Sequence, residues 1–344
     1  MSSLTYITGD RKDIPEKYQD VIISMIRDFD SERSPFEPHS MEFYRNYWKQ
    51  PRPAERKTIS VYAFNKSKEL VGFGHSFWNI EYDNLVHGSY QIYVVPGERR
   101  KSYGTDIMRK LFTVIPPQIK TLVAYALGGS IGELFLQKFQ KESCFNEFFR
   151  AADLSEFSID EIKAINTKEE QRISDLGYKF VELESFDYAT KFDEERYVRM
   201  VERIWNDMPR EEMSFGEDVI TPVRYRSLIE YNLKKGDRNF GFAIAVKETN
   251  EPVGHTRVLY NKHRSSLVEQ DDTGVVHEHR GNGFGLALKY KVLEKLLVEL
   301  DAKHWYTGNA ISNEHMIKIN EKLKHKIVGK KIFYELKRNE WEKI

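Results

Sequence analysis

Apolar and polar positions follow two periods along this chain, and the order of those periods occurs twice. Residues 3–8 alternate as a strand, and Pro15 opens a helical pattern whose apolar face is Tyr18, Val21, Ile22, Met25 and Phe29. A short helical pattern covers Met41 to Trp48. Strand-like runs follow at Ile59–Asn65, Leu70–Ile80 and His87–Val95, the last ending at Pro96 and the basic Arg99-Arg100-Lys101. A helix over Asp106–Ile115, a strand over 121–127, a helix over 130–140 and a strand over Phe145–Leu154 close the first series. Ser158-Ile159-Asp160-Glu161 is a capping-box pattern and Gly177 a helix stop, which predicts a connecting helix between them. Its charges, Arg172 among them, read as a solvated face.

After Gly177 the series restarts. Tyr178–Phe186 reads as a strand, and Glu194–Asn206 as a helix with Tyr197, Val201, Ile204 and Trp205 on one face. Irregular sequence runs from Met208 to Pro222, then a helix over Val223–Leu233. Phe240–Val246 and Val253–Leu259 read as a hairpin pair. A further strand and helix, a strand at His304–Thr307, a helix over Asn313–Leu323 and a strand near Ile332–Leu336 complete it. Val71-Gly72 matches Val253-Gly254, Arg99 matches Arg280 and Gly104 matches Gly285. So steady an offset implies duplication of a whole domain. The expected organisation is an N-terminal domain over 1–157, a connecting helix over 158–177 and a C-terminal domain over 178–344.

The second copy holds the stretch with the clearest chemistry, residues 273–289. A β-rich run ending in Val275-Val276 enters a turn of Arg280-Gly281-Asn282-Gly283-Phe284-Gly285. A helical pattern leaves it through Leu286, Leu293, Leu297 and Leu300. Glycines let successive N–H groups turn toward one point, and a helix N-terminus favours negative charge there. A pyrophosphate suits such a cradle. The glycine spacing fits neither a dinucleotide-binding G-x-G-x-x-G nor a P-loop, since Leu286 follows the last glycine. In the first copy Arg100 and Ser102 stand where Gly281 and Gly283 would be, side chains expected to crowd a phosphate or oppose positive φ.

Composition narrows the classes further. Fifty-three basic and 53 acidic residues give a net charge of +0, against a general nucleic-acid binder. The single Cys144 rules out an internal disulfide and a multi-cysteine metal site. Residues 1–20 lack an apolar leader segment, and no apolar run is long enough for a bilayer. The expectation is a cytoplasmic protein that binds no metal, nucleic acid or membrane.

Arg280-Gly281-Asn282-Gly283-Phe284-Gly285 resembles the R/Q-x-x-G-x-G/A loop of the GNAT acyl-CoA-dependent acyltransferases. Thr307-Gly308-Asn309-Ala310 with Asn313, Met316 and Ile319-Asn320-Glu321 is similar to a run in tandem GNAT proteins, in the subgroup that includes mycothiol synthase. The resemblance implies an α/β (α+β) fold of two GNAT-like domains, each a mixed, mostly antiparallel sheet flanked by helices. It implies acetyl-CoA as cosubstrate, lying where the fourth and fifth strands splay apart in the C-terminal domain, and N-acetyl transfer to an amine, most simply of a small molecule. Backbone groups of Val275 and Val276 would meet the pantetheine arm. Arg280, Gly281, Asn282, Gly283, Phe284 and Gly285 would hold the pyrophosphate. Asn309, Asn313 and Asn320 would add contacts, although Asn313 is equally an N-cap. Glu269 and Asp271 are candidate bases on one face of the fourth strand, with His255 a lesser one. Asn320 occupies the place of the family's tyrosine acid, which leaves Tyr334 as a substitute donor. Met208–Phe215, with Trp205 and Met213, is a candidate acceptor pocket. Rival readings are a non-catalytic CoA sensor or scaffold and a transferase for a longer acyl group. Two halves in one chain fit a monomer acting as an internal pseudo-dimer, or a homodimer.

Overall fold

The structure, a computed structural model, describes residues 4–344, without the side chain of Lys12. Residue 3 of the first expected strand lies outside the described residues. In chain order the main elements are β1 (Thr5–Gly9), α1 (Gln19–Glu32), α2 (Met41–Lys49), β2 (Arg56–Phe64), β3 (Leu70–Asn79), β4 (His87–Val94), α3 (Tyr103–Phe112), β5 (Thr121–Leu127), α4 (Ile131–Leu136), β6 (Phe145–Asp153) and α5 (Ile159–Asp175). They continue with β7 (Tyr178–Glu184), α6 (Tyr188–Lys191), α7 (Glu194–Asn206), α8 (Pro222–Lys235), β8 (Asp237–Val246), β9 (Pro252–Asn261), β10 (Leu267–Val275), α9 (Phe284–Glu299), β11 (His304–Ala310), α10 (Glu314–Lys322), β12 (Lys326–Lys337) and α11 (Arg338–Trp341).

These elements form two compact units. Unit 1 is Met1–Asn146 with Arg210–Glu217 and Gly329–Ile344; unit 2 is Glu147–Pro209 with Asp218–Val328. The units are therefore not the contiguous segments 1–157 and 178–344 expected from sequence. Each takes its closing strand from the other half of the chain. In unit 1, β12 pairs antiparallel with β5, Tyr334 opposite Ala124. In unit 2, β6 pairs antiparallel with β11, Phe148 opposite Asn309. Sheet order is β1-β2-β3-β4-β5-β12 in unit 1 and β6-β11-β10-β9-β8-β7 in unit 2. Two strands of similar length and apolar alternation can satisfy either neighbour, so periodicity alone could not assign them.

In each unit one pair is parallel and short. β4 joins β5 only from His87 to Ser89, and β10 joins β11 only from Leu267 to Glu269. Beyond these points the fourth and fifth strands of each unit are no longer paired.

The core of unit 2 gathers Tyr197, Val201 and Ile204 of α7, Phe240 and Ile244 of β8, and Leu288, Val292 and Leu296 of α9. α9 turns Phe284, Ala287, Leu288, Val292, Leu293 and Leu296 inward. This corrects the apolar face read from its leucines, because Leu286 and Leu297 are only partly buried and Leu300 is already the C-cap. α5 begins at an N-cap Ser158, whose Oγ accepts from Glu161 N at 3.4 Å, and stops before Gly177 at φ +87°. Among the described residues, no helix is long and apolar enough to cross a membrane.

Candidate active site

The loop before α9 is built as the glycines require. Gly281 and Gly283 have φ of +83° and +73°, and Gly283 is the N-cap of α9 with no side chain capping it. A Cβ on Gly281 would meet nothing within 4 Å. Its glycine answers to backbone conformation and leaves open space outside the turn. The first amides of α9, which an α-helix leaves unpaired, can then meet an anion, so the cradle fits a pyrophosphate.

The side chains around the turn hold it rather than complete it. Arg280 Nε donates to Val275 O at 2.8 Å, and its Nη2 pairs with Asp207 at 2.5 Å. Arg280 thus ties the loop to the end of β10, with its charge already matched, instead of standing free for a phosphate. Asn282 Nδ2 closes the turn on His279 O at 3.1 Å. The Phe284 ring is buried against Tyr178, 4.8 Å between centroids, leaving only its backbone for a ligand. Arg172 was missed as part of the site. From α5 its Nη1 donates to Asn282 O at 2.8 Å, while Glu169 accepts from its Nη2 at 2.6 Å. A solvated-face reading of α5 gave no hint of it, because only the fold brings α5 to residue 282.

Along β10 the ladder with β9 slips between Gln270 and Asp272, so Asp271 is bulged out. The Gln270 amide pins the bulge, donating to Arg257 O at 2.5 Å and Asp272 O at 2.8 Å. A bulge of this kind redirects a side chain and frees backbone groups, here four residues before Val275. Val275 and Val276 are buried at the strand's end, and Val276 N is bonded to Val253 O at 2.9 Å.

The two aspartates at the bulge part company. Removal from water and the neighbouring charge of Asp272 both push the Asp271 carboxyl above the ordinary carboxylate range. Asp271 stays open to solvent at the bulge, which moderates the first effect. Burial alone would raise Asp272 as well, but His255 and the Trp205 N–H outweigh it and hold that carboxyl low. Trp205 Nε1 donates to Asp272 Oδ2 at 2.8 Å, and His255 Nε2 lies 3.0 Å from the same oxygen. His255 itself is fully buried, with Tyr197 Oη 2.9 Å from its Nδ1. It supports Asp272 and has no route to a substrate. Glu269 is half-buried, 3.7 Å from Arg264 Nη2 and opposite Tyr306 across the β10–β11 pair.

Other expected contacts fall elsewhere. Asn320 is fully buried. Its Oδ1 accepts from Lys289 Nζ at 2.8 Å, and its Nδ2 donates to Asn309 Oδ1 at 2.6 Å. These bonds fasten α9, α10 and β11 together and commit the Asn320 amide and the Asn309 oxygen to the protein. Asn313 is the N-cap of α10, accepting from Met316 N at 3.3 Å. Tyr334 belongs to unit 1, with its hydroxyl 3.4 Å from Glu133. Asp271 belongs to unit 2. Met213 and Phe215 also belong to unit 1, where Ser214 N donates to Glu335 Oε2 at 3.0 Å, whereas Trp205 belongs to unit 2. The expected acceptor pocket is therefore divided.

The first loop keeps the same frame with different residues. Arg100 and Ser102 both sit at φ +66°, and Ser102 is the N-cap of α3 without a side-chain bond. Arg99 Nε donates to Val94 O at 2.8 Å and its Nη2 pairs with Glu32 at 2.5 Å, matching Arg280. The expectation that these side chains would oppose positive φ is corrected. The turn is held despite a cost of roughly 1–3 kcal/mol per residue. A cleft of about 550 Å³ opens beside it, bounded by β4, β5, α3 and α4 and reaching Arg33. Among the described residues, no group of His, Cys, Asp and Glu is placed to hold a metal ion.

The fold, with sheets that open between their fourth and fifth strands and a glycine loop leading into a helix, is that of a tandem GNAT protein. A tandem GNAT protein from the clavulanic acid biosynthesis pathway superposes with a TM-score of 0.71, 18% identity and coverage of 97% of this chain and 98% of that one. A GCN5-related N-acetyltransferase from Sphaerobacter thermophilus matches at 0.59, with 13% identity over 98% of this chain and 96% of its own. A GNAT-family acetyltransferase from Colwellia psychrerythraea matches at 0.54, with 10% identity over 97% and 100%. No family model and no curated protein sequence matches the chain.

Proposed function

We propose that this protein transfers an acetyl group from acetyl-CoA to an amine, and that unit 2 carries the reaction. The observation behind the reading is the Arg280–Gly285 turn, with left-handed glycines and an uncapped helix start, at the mouth of the β10–β11 opening. Backbone amides of residues 281–285 would hold the pyrophosphate, with Arg172 bracing the turn through Asn282 O.

An alkylammonium has a pKa near 10 and must lose a proton before it attacks. Asp271 is exposed at the bulge, and its carboxyl is raised toward the range where a base is useful. It takes the ammonium's proton to free the amine, which attacks the thioester carbon. As the C–N bond forms and the C–S bond breaks, the nitrogen's second proton passes to solvent. Asn320 offers no proton to the leaving sulfur, since it is an amide, buried and committed to Lys289 and Asn309. The sulfur leaves as thiolate, which a free thiol's acidity, with a pKa of about 8.5, allows without a proton donor. Similarity of residues 307–321 to the mycothiol synthase-like subgroup supports a small-molecule amine as acceptor.

The same Asn320 suits a second reading, a protein that binds acetyl-CoA without turnover. Thiol release from acetyl-CoA across a panel of amines separates the two. Amine-dependent release that falls in Asp271→Asn supports transfer; tight binding with no release supports the second reading.

A further inference from the structure

The cleft in unit 1 contains a buried guanidinium whose Nε the fold leaves without a hydrogen-bond partner, with Asp30 the carboxylate that acts on its charge. Arg33, the C-cap of α1, is 9% exposed and lines this cleft. Its guanidinium carbon lies 3.7 Å from the ring centroid of Tyr125 and 4.4 Å from that of Phe29. Its Nε is buried with no hydrogen-bond partner. Every other arginine and lysine on the cleft wall can be accounted for differently. Arg99 is paired with Glu32, the wall's carboxylate, and Arg100 and Lys138 lie toward solvent.

Burying a charge without a partner is costly, and an arginine cannot escape by losing its proton. Stacking on aromatic faces returns about 2 kcal/mol or more when desolvated, but it uses the faces of the guanidinium and leaves its N–H edge unspent. That edge matches a carboxylate, two parallel donors to two oxygens. The cleft's size lies within the roughly 300–1,000 Å³ typical of ligand sites.

We propose that the cleft of unit 1 binds a carboxylate-bearing ligand, with Arg33 as the partner of the carboxylate. The carboxylate has two possible sources. It is the free end of an acyl-CoA whose pyrophosphate meets the Arg99–Gly104 turn, or it belongs to a separate small carboxylic acid. Neither depends on the chemistry of unit 2.

The test is calorimetric titration of the full chain and of Arg33→Met with succinyl-CoA, acetyl-CoA and free succinate. The expected result is at least tenfold weaker binding of a carboxylate titrant to Arg33→Met, with acetyl-CoA bound equally by both. Loss confined to succinyl-CoA assigns the carboxylate to the acyl group; loss with succinate as well assigns a separate acid. Arg33→Met without ligand should melt at or above the wild-type temperature, since it removes a desolvated charge and its unsatisfied Nε. Arg33→Lys, which keeps the charge and loses the planar fork, should bind several-fold more weakly, and it serves if Arg33→Met fails to fold. Equal affinity of wild type and both variants for every carboxylate would overturn the proposal. So would a lowered melting temperature of Arg33→Met with unchanged carboxylate binding, which would make Arg33 a packing residue.

Discussion

Replacing Lys289 with methionine should change how stability depends on pH, and the structure sets both sign and size. The Lys289 amine is fully buried, 2.8 Å from Asn320 Oδ1 and 5.3 Å from the Trp305 ring centroid. Burial pulls its pKa down from 10.5 to about 7. Between those values the unfolded chain holds a proton that the folded chain has released, so stability rises with pH across this window. Below about pH 7 the folded protein carries a charged amine in its core and the whole cost is felt. At ~1.4 kcal/mol for each pH unit, the drop corresponds to about 5 kcal/mol as an order of magnitude. Methionine fills similar space with a flexible apolar chain, but leaves the Asn320 oxygen buried and unpaired, which costs about 1–3 kcal/mol. Lys289→Met is therefore expected to be more stable than wild type by about 2–4 kcal/mol near pH 6.5. The gain should vanish and then reverse as the pH approaches 10. Urea unfolding of both proteins at three pH values across this range reads the difference, in which other titrating groups cancel to first order. A difference that stays constant with pH would refute the reasoning, because Lys289 would then titrate alike in the folded and unfolded chains.

Asp271→Asn should lower kcat/KM by roughly 10²-fold or more, as loss of a general base does. It should also remove the acidic limb of the pH profile, which in wild type lies above the ordinary carboxylate range; steady-state thiol release between pH 5 and 9 measures both. Gly274→Ala would place a Cβ 2.2 Å from Ile204 Cγ2 in the core. It should cost about 1–3 kcal/mol through overpacking, read as a lower urea midpoint, and should slow turnover by shifting β10 near the bulge. Gly281→Ala adds a Cβ with nothing near it, so it should cost only about 1 kcal/mol, from positive φ, in thermal unfolding.

Much of this could be read from the sequence, and the reasons for success and failure are physical. The Arg280–Gly285 turn was legible because positive φ leaves a mark, glycine, at Gly281 and Gly283. The same turn in the first copy was misread because Arg100 and Ser102 hold that conformation without the mark. Element positions followed from periodicity, but the exchange of β6 and β12 did not. Pairing partners depend on the whole fold, which put Tyr334 in unit 1 and Asp271 in unit 2. Asn320 was expected to contact the cofactor, and its bonds to Lys289 and Asn309 were not legible, because they depend on how α9, α10 and β11 pack. Asp271 was a candidate by strand alternation, yet its exposure comes from a bulge that alternation does not foresee.

Calorimetric titration of acetyl-CoA into the intact chain and into Gly283→Val tests the central claim most directly. Valine at φ +73°, with its Cβ about where Arg172 Nη2 lies 3.4 Å away, should disorganise the turn before α9. The account predicts that the intact chain binds acetyl-CoA and that the variant, folded by its melting curve, loses the unit 2 site. An intact chain that takes up no acetyl-CoA, or a variant that binds it unchanged, would contradict the account.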